Sequence, residues 1–322
     1  MSDRVCRPSS TGLGYPQPKL PVPRVFKPRP LQLPLGKRMT IGVGILASDG
    51  VVVAADSQES VQGYWKTDQG KVQWCGFSSA DPVCEGACVV TGAGSGRYLD
   101  ALQDDVLKDF GDVVEDSGRD WESHIRGVIR RFHRENIVPF LRGQDPPQVN
   151  LIIATQQHLA PFRPDGRRYL HGLWATDKSV LARYEYFTSI GIGSGHASNL
   201  LHRLWKHDSL DVVSTAILAA FVVFHVKDYV DGCGNYTDLI AIRHAKPYRL
   251  TRDQTAKLES VFARMSRQTE SLVTNYLIGR HHDDFAKVSA ELNEVRAEFL
   301  KIVSETKGPY DVFGLASEPA GD

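Results

Sequence analysis

The sequence predicts an α+β fold: two stacked β-sheets, each covered on its outer face by helices (a four-layer αββα sandwich), with a helical hairpin added near the C-terminus. Three observations carry this expectation. An Asp49-Gly50 turn joins two β-rich runs at 39–46 and 51–56, which is the pattern of a hairpin. Beyond it the elements follow the order strands, two helices, strands, two helices, strand, which suits two facing sheets closed on both sides by helices. After about residue 249 the apolar residues recur every three or four positions, the period of amphipathic helices.

Taken in order, the first hairpin is followed by a pair of short strands at 63–74 and 86–92. Two helices come next, at 97–110 and 121–140; in the second, Trp121, Ile125, Val128 and Phe132 fall on one face. Strands return at 149–155, 169–175 and 184–192, then helices at 197–206 and 210–229, then a last strand at 237–243. In the C-terminal segment Leu258, Phe262, Met265, Thr269, Leu272 and Tyr276 repeat at alternating four and three. After Gly279-Arg280-His281-His282, the residues Phe285, Val288, Leu292, Val295, Phe299 and Ile302 repeat the same way. Both seams have coiled-coil spacing, so the hairpin packs on the core, on itself, or on another subunit.

The domain plan is therefore a proline-rich extension at 1–38, the sandwich domain at 39–248, the hairpin at 249–306 and a tail at 307–322. The extension holds eight of the 17 prolines and is basic. Such density excludes helix and sheet. It reads as a propeptide, a binding tail, or an upstream stretch absent from a native chain that starts at Met39.

Composition narrows the function. Lys+Arg and Asp+Glu balance at 38 each, so no global field selects nucleic acid or anionic membrane. The apolar stretch 212–226 is interrupted by Ser214 and Thr215 and falls short of a membrane span, and the N-terminus lacks the apolar core of a secretory signal. A cytoplasmic protein is expected. Five cysteines in no paired pattern, Cys84 and Cys88 among them, read as intracellular thiols. His196, His202, His281 and His282 show no metal spacing, so neither metal nor cofactor is expected.

The chemistry centres on Thr40. A hydroxyl is a weak nucleophile until a base takes its proton, and a free α-amine, with an ordinary pKa of roughly 7.7–8.0, can be that base. A threonine at a chain end therefore holds nucleophile and base in one residue. A neighbouring ammonium would depress the amine's pKa, and a carboxylate would keep that ammonium charged in a desolvated site. Asp56, at the end of "DGVVVAADS", and Lys71, in "KTDQGKVQW", follow Thr40 in that order, ahead of a glycine-rich strand-to-helix turn, "TGAGSGRYLDAL". Taken singly these residues are bland: a β-former in a strand, a turn aspartate and a solvated lysine, with Ser194 as a helix cap.

Taken together, "DGVVVAADSQ", "GKV", "GAGSG" and "SIGIGSGHAS" resemble the proteasome β-subunits and the bacterial HslV peptidase, including the 16-residue step from Thr40 to Asp56. The resemblance implies an N-terminal-nucleophile hydrolase sandwich and a threonine-type peptidase. It implies Thr40 as nucleophile and, through its freed amine, base. Asp56 would orient Lys71, Lys71 would tune the amine, and Ser194 would assist proton transfer. The N–H of Gly94 would serve as oxyanion donor, with Asp228 and Asp231 beside the site. Asp231 stands where the family more often has serine, and Gln58 where β-subunits tend to have Arg and HslV has Gln. The resemblance further implies a peptide or unfolded-protein substrate, a homo-oligomeric ring and an ATPase unfoldase partner, with no nucleic acid or membrane. Met39 and Ile41 flank Thr40 where the family usually has Gly and a second small hydroxyl residue, so activity requires removal of Met39 and all that precedes it. Two alternatives share the same residues: a non-catalytic structural subunit, and an amidase acting on a small amide.

Overall fold

The structure, a computed structural model, describes residues 40–61, 65–68, 70–78, 85–114, 121–141, 146–158, 169–205, 210–277, 289–290, 293–297 and 300–301. The extension at 1–38, the hairpin turn at 279–282 and the tail at 307–322 lie outside the described residues.

The chain is α+β with two five-stranded antiparallel sheets. Strands β1 (Ile41–Leu46) and β2 (Gly50–Asp56) form the expected hairpin, with Gly42 opposite Ala55 and Leu46 opposite Val51. With β10 (Phe187–Gly191), β11 (Thr237–Arg243) and β12 (Lys246–Arg249) they make the first sheet, ordered β10-β1-β2-β11-β12. The second sheet is β5-β6-β7-β8-β9, from β5 (Gln73–Ser78), β6 (Glu85–Gly94), β7 (Val149–His158), β8 (Tyr169–Asp177) and β9 (Val180–Arg183).

Strand side chains alternate between faces, and both faces here are apolar. On β2, Val51, Val53 and Ala55 point into a core shared with Ile240 of the neighbouring β11 and with Val89, Ile152, Ala154 and Leu173 of the facing sheet. Val52 and Ala54 point the other way, into a core with helices α3 (Ser194–Leu204), α4 (Val212–Tyr229) and α5 (Arg252–Leu277). On β6, Ala87 and Val89 face the first sheet, while Cys88 and Val90 face α1 (Gly96–Val114) and α2 (Trp121–Phe132). At Gly44 a Cβ would lie 2.7 Å from Leu173 and 2.8 Å from Ile152, so glycine there lets the sheets approach.

Several boundaries differ from expectation. The stretch read as one strand at 63–74 is split. Strands β3 (Gln58–Val61) and β4 (Trp65–Asp68) form a separate two-stranded ribbon, and the chain then passes through Gly70 to β5. The second helix stops being α-helical at Phe132 and continues as a π-helical turn, His133–Ile137, and a 3-10 turn, Val138–Leu141, around Pro139, which cannot donate a helical hydrogen bond. Strands β9 and β12 were not anticipated. Each follows a tight turn with left-handed residues, Lys178 (φ 56°) in one and His244 and Ala245 (φ 51° and 59°) in the other, with no glycine to announce them.

Helix α4 starts where Asp211 accepts from the Ser214 amide at 2.8 Å. Among the described residues it is the one helix long and apolar enough to cross a membrane, with a mean hydropathy of 1.5. Val213, Ala216, Ala220 and Val223 nonetheless sit in the core between the first sheet and α5, which accounts for the composition. Helix α5 covers the first half of the expected hairpin, and residues 293–297 of the second half are helical.

Candidate functional site

The hairpin register places the first pair of site residues. Because Gly42 lies opposite Ala55, the next step along both strands sets the Thr40–Ile41 segment against Asp56. The Thr40 hydroxyl donates to Asp56 Oδ1, and the Ile41 amide donates to the same oxygen at 3.1 Å. Lys71 arrives from the ribbon excursion. Its Nζ lies 3.0 Å from Asp56 Oδ1 and also donates to Thr40 Oγ1 and to the Gln58 carbonyl. Three polar side chains thus converge in a buried place, with Thr40 and Asp56 fully buried and Lys71 at 5% exposure.

Burial of opposite charges is tolerable here because each remaining valence is used. The second Asp56 oxygen accepts from the Gly234 amide at 3.0 Å. That amide belongs to the turn after α4, which closes over the cluster: Gln58 Nε2 donates to the Gly232 carbonyl at 3.3 Å, and a Cβ at Gly234 would lie 2.2 Å from Gln58 Oε1. Cys233 of the same turn is buried beside the pair. Burial first, and the Asp56 carboxylate second, push its thiol up to about 12, with the Lys71 ammonium opposing.

The backbone at Thr40 is fixed from the far side. Its carbonyl accepts from the Ile192 amide at 3.0 Å. Gly191 makes that approach possible, since φ is 94° and a Cβ would lie 2.0 Å from the Thr40 oxygen. A Cβ at Gly193 would meet Val226 at 2.3 Å and lies 3.5 Å from the Cys233 sulfur, so the "SIGIGSG" glycines serve close packing around the threonine.

Of the residues singled out from sequence, the structure brings Thr40, Asp56, Lys71 and Gln58 into one cluster. Ser194 opens α3, two residues beyond Ile192, half-buried, with its carbonyl accepting from Ser189 at 3.0 Å. Gly94 ends β6 with φ at 130°, and a Cβ there would stand 1.9 Å from the Gln148 carbonyl; its described contacts explain the glycine by that approach rather than by Thr40. Asp228 and Asp231 are exposed at the end of α4 and in the following turn, and their side chains do not join the cluster. What reaches Asp56 from that turn is the Gly234 amide. Sequence reading also passed over Cys233 and the Gln58 main chain, although the run "DGCGN" carried a turn signal in its two glycines.

What the uncleaved chain can do at this site is limited. With Thr40 joined to the preceding residue its nitrogen is an amide, and the hydroxyl proton is directed at Asp56. Lys71 polarises the same oxygen from the other side. The arrangement holds the Thr40 oxygen between a carboxylate and an ammonium.

No protein-family model and no curated protein sequence matches the chain. Similar solved structures are Anbu proteins. A Gly-1 mutant of Anbu from Hyphomicrobium sp. strain MC1 shares 15% identity over 73% of this chain and 99% of its own, with a TM-score of 0.55. The helical assembly of the Anbu complex from Pseudomonas aeruginosa shares 14% over 73% and 96%, at 0.54. Anbu (ancestral beta-subunit) from Yersinia bercovieri shares 13% over 74% and 97%, at 0.53. These findings correct the resemblance read from sequence: the neighbours are not proteasome β-subunits or HslV peptidases but members of a distinct, proteasome-related family, and at this identity the likeness is one of fold.

Proposed function

We propose that this chain is a proteasome-related, self-assembling subunit carrying an amide-hydrolysing site, in which Thr40 acts as an N-terminal nucleophile once everything before it has been removed. The observation that carries the reading is the convergence of Asp56 and Lys71 on the Thr40 hydroxyl inside the fold. A threonine serving only as a β-former would not need a buried ion pair on its oxygen. The helix-covered pair of sheets then reads as a four-layer sandwich of N-terminal-nucleophile type.

In this reading the freed amine takes the Oγ proton as the oxygen attacks a carbonyl carbon. The C–N bond breaks, the proton passes to the leaving amine, and an ester on Thr40 remains. Water then attacks the ester, returns the proton to Oγ and releases the acid. Lys71 stabilises the oxygen and holds down the amine's proton affinity, while Asp56 keeps Lys71 charged. The substrate is an amide bond in a peptide or a smaller molecule, met in the cytoplasm. Assembly follows the neighbours: one of them is described as a helical assembly, and a head-to-tail interface gives a helix where its rotation does not close and a ring where it does. A site confined in such an assembly is what would call for an ATPase unfoldase to feed it.

A second reading, a non-catalytic subunit, draws on one observation: Thr40 is fully buried in the uncleaved chain and its hydroxyl is engaged by Asp56. The two are separated by treating the purified protein with a β-lactone, which acylates a nucleophilic hydroxyl, and reading intact mass. One adduct per chain, mapped to Thr40 and lost in Thr40→Ala, supports the hydrolase. Absence of any adduct on Thr40 in a chain that begins there would leave the structural subunit.

A further inference from the structure

Lys71 sits outside the sheets' strands, whereas Asp56 ends β2 and Gln58 opens β3. Residues 70–72 run between β4 and β5, a segment with no ladder of its own to fix its main chain. Its peptide groups are held instead by side chains from three other elements. The Lys71 carbonyl accepts from Thr91 Oγ1 of β6 at 3.2 Å and from Gln103 Nε2 of α1 at 3.4 Å. On the other side, the Val72 amide donates to Asp238 Oδ2 of β11 at 3.2 Å. Arg249 of β12 grips the same carboxylate at 2.7–3.0 Å through Nε and Nη2. Gly70 completes the fit, because a Cβ there would lie 2.8 Å from the Arg249 guanidinium and 3.2 Å from Asp238.

Gln103 is the most informative of these. Helix α1 buries Leu99, Leu102, Val106 and Phe110 against the second sheet, and Gln103 is 2% exposed beside them. A polar amide in that position is costly unless it is bonded, and an apolar side chain would satisfy the packing better. Thr91, at 0% exposure, faces the same carbonyl with its hydroxyl. Two buried donors from different elements spent on one main-chain oxygen point to a requirement at that oxygen.

We propose that Thr91, Gln103 and Asp238 are positioning residues that clamp the Lys71–Val72 peptide, so that the Lys71 ammonium is delivered onto the Thr40 oxygen. The clamp couples α1 and both sheets to the nucleophile. Its catalytic purpose rests on the reading of Thr40 as nucleophile; its geometry does not. The ammonium so placed faces the Asp56 carboxylate, the Thr40 hydroxyl, the Gln58 carbonyl and the Cys233 thiol.

The test uses the full chain labelled with 15N-lysine. A buried, triply bonded ammonium exchanges its protons slowly, so Lys71 is expected to give a distinct ammonium signal that Lys71→Arg removes. Thr91→Val and Gln103→Leu are each expected to abolish that signal or to speed its proton exchange at least about tenfold, the order of effect of one lost buried hydrogen bond. Thr91→Ser, which keeps the hydroxyl, should retain it. Should Gln103→Leu collapse the backbone amide spectrum, the Thr91→Val and Thr91→Ser pair decides alone. An unchanged Lys71 signal in Thr91→Val with an intact amide spectrum overturns the clamp. In chains that begin at Thr40, the pH profile of β-lactone acylation should shift in Thr91→Val and not in Thr91→Ser. A clamp-sensitive Lys71 signal without acylation of Thr40 would remove the hydrolase reading alone, and acylation with an insensitive signal and profile would remove the clamp alone.

Discussion

Replacing Asp56 by asparagine isolates the electrostatic core of the site. The substitution keeps shape but removes the charge that faces Lys71 Nζ at 3.0 Å, in surroundings where the two side chains are 0% and 3% exposed. At that distance and an effective dielectric near 20, the lost attraction is about 5 kcal/mol. Part of it is offset because the carboxylate's own desolvation is relieved. Breaking a buried pair from one side costs about 3–5 kcal/mol, since the remaining charge stays buried without its partner. Asparagine also offers one acceptor oxygen where the carboxylate served Thr40, Ile41 and Lys71 with Oδ1 and Gly234 with Oδ2. Asp56→Asn is therefore expected to lower unfolding free energy by about 3–5 kcal/mol, roughly two to four decades in the folding equilibrium. Adding Lys71→Met removes the orphaned ammonium and should recover part of the loss, giving a coupling of at least about 1–2 kcal/mol in a double-mutant cycle. Urea unfolding at pH 7, followed by tryptophan fluorescence, measures all four corners. A loss under about 1 kcal/mol for Asp56→Asn with zero coupling would refute the reasoning.

Four further outcomes follow from the structure. Gly191→Ala should cost at least about 2 kcal/mol and lower the melting temperature, since φ is 94° and the new Cβ meets the Thr40 carbonyl at 2.0 Å; Gly127→Ala, exposed in α2 with nothing within 4 Å, should instead stabilise by up to about 1 kcal/mol. Alkylation of the native protein at pH 8 should label Cys75 before Cys88 and Cys233. A hydrogen bond from Cys88 pulls the Cys75 thiol down, whereas burial pushes Cys88 well up and Cys233 to about 12; equal labelling in peptide maps would contradict this. Because Cys233 is raised from 9.0 to about 12 on folding, the unfolded chain ionises first, so its contribution to stability is whole below pH 9 and is lost as pH rises toward 12. Cys233→Ala should flatten the fall of the unfolding midpoint over that window, and an unaltered slope would contradict it.

Much of the site was legible because it follows from local rules. An Asp-Gly turn sets the hairpin, the hairpin sets the register, and the register sets Asp56 beside Thr40, so a 16-residue step becomes a contact. The meeting with Lys71 had no such local basis. It depends on the β3–β4 ribbon returning the chain through Gly70, and residue order alone carried it. Asp228 and Asp231 illustrate the opposite case: the resemblance set them beside the site, but both are exposed, the group that reaches Asp56 is the Gly234 amide, and a backbone donor leaves no mark in side-chain identity. The hairpins ending in β9 and β12 were missed because their left-handed positions hold Lys178, His244 and Ala245 instead of glycine or asparagine. The cysteines in no paired pattern include Cys88, which is buried as a free thiol, but its neighbour Cys75 across the β5–β6 ladder could not be read from spacing along the chain. The family likeness erred for a related reason. The motifs were matched to proteasome β-subunits and HslV, whereas the solved structures named above as similar are Anbu proteins, at identities of 13–15% where fold outlasts short motifs.

The measurement that bears most directly on Thr40 as nucleophile is the N-terminus of the protein isolated from its own cells, by intact mass and N-terminal sequencing. A chain beginning at Thr40, with its amine free beside Lys71 and Asp56, is the predicted result. A chain in which Met39 is still attached would contradict the account, because the Thr40 nitrogen would then be an amide and the amine proposed as base would not exist.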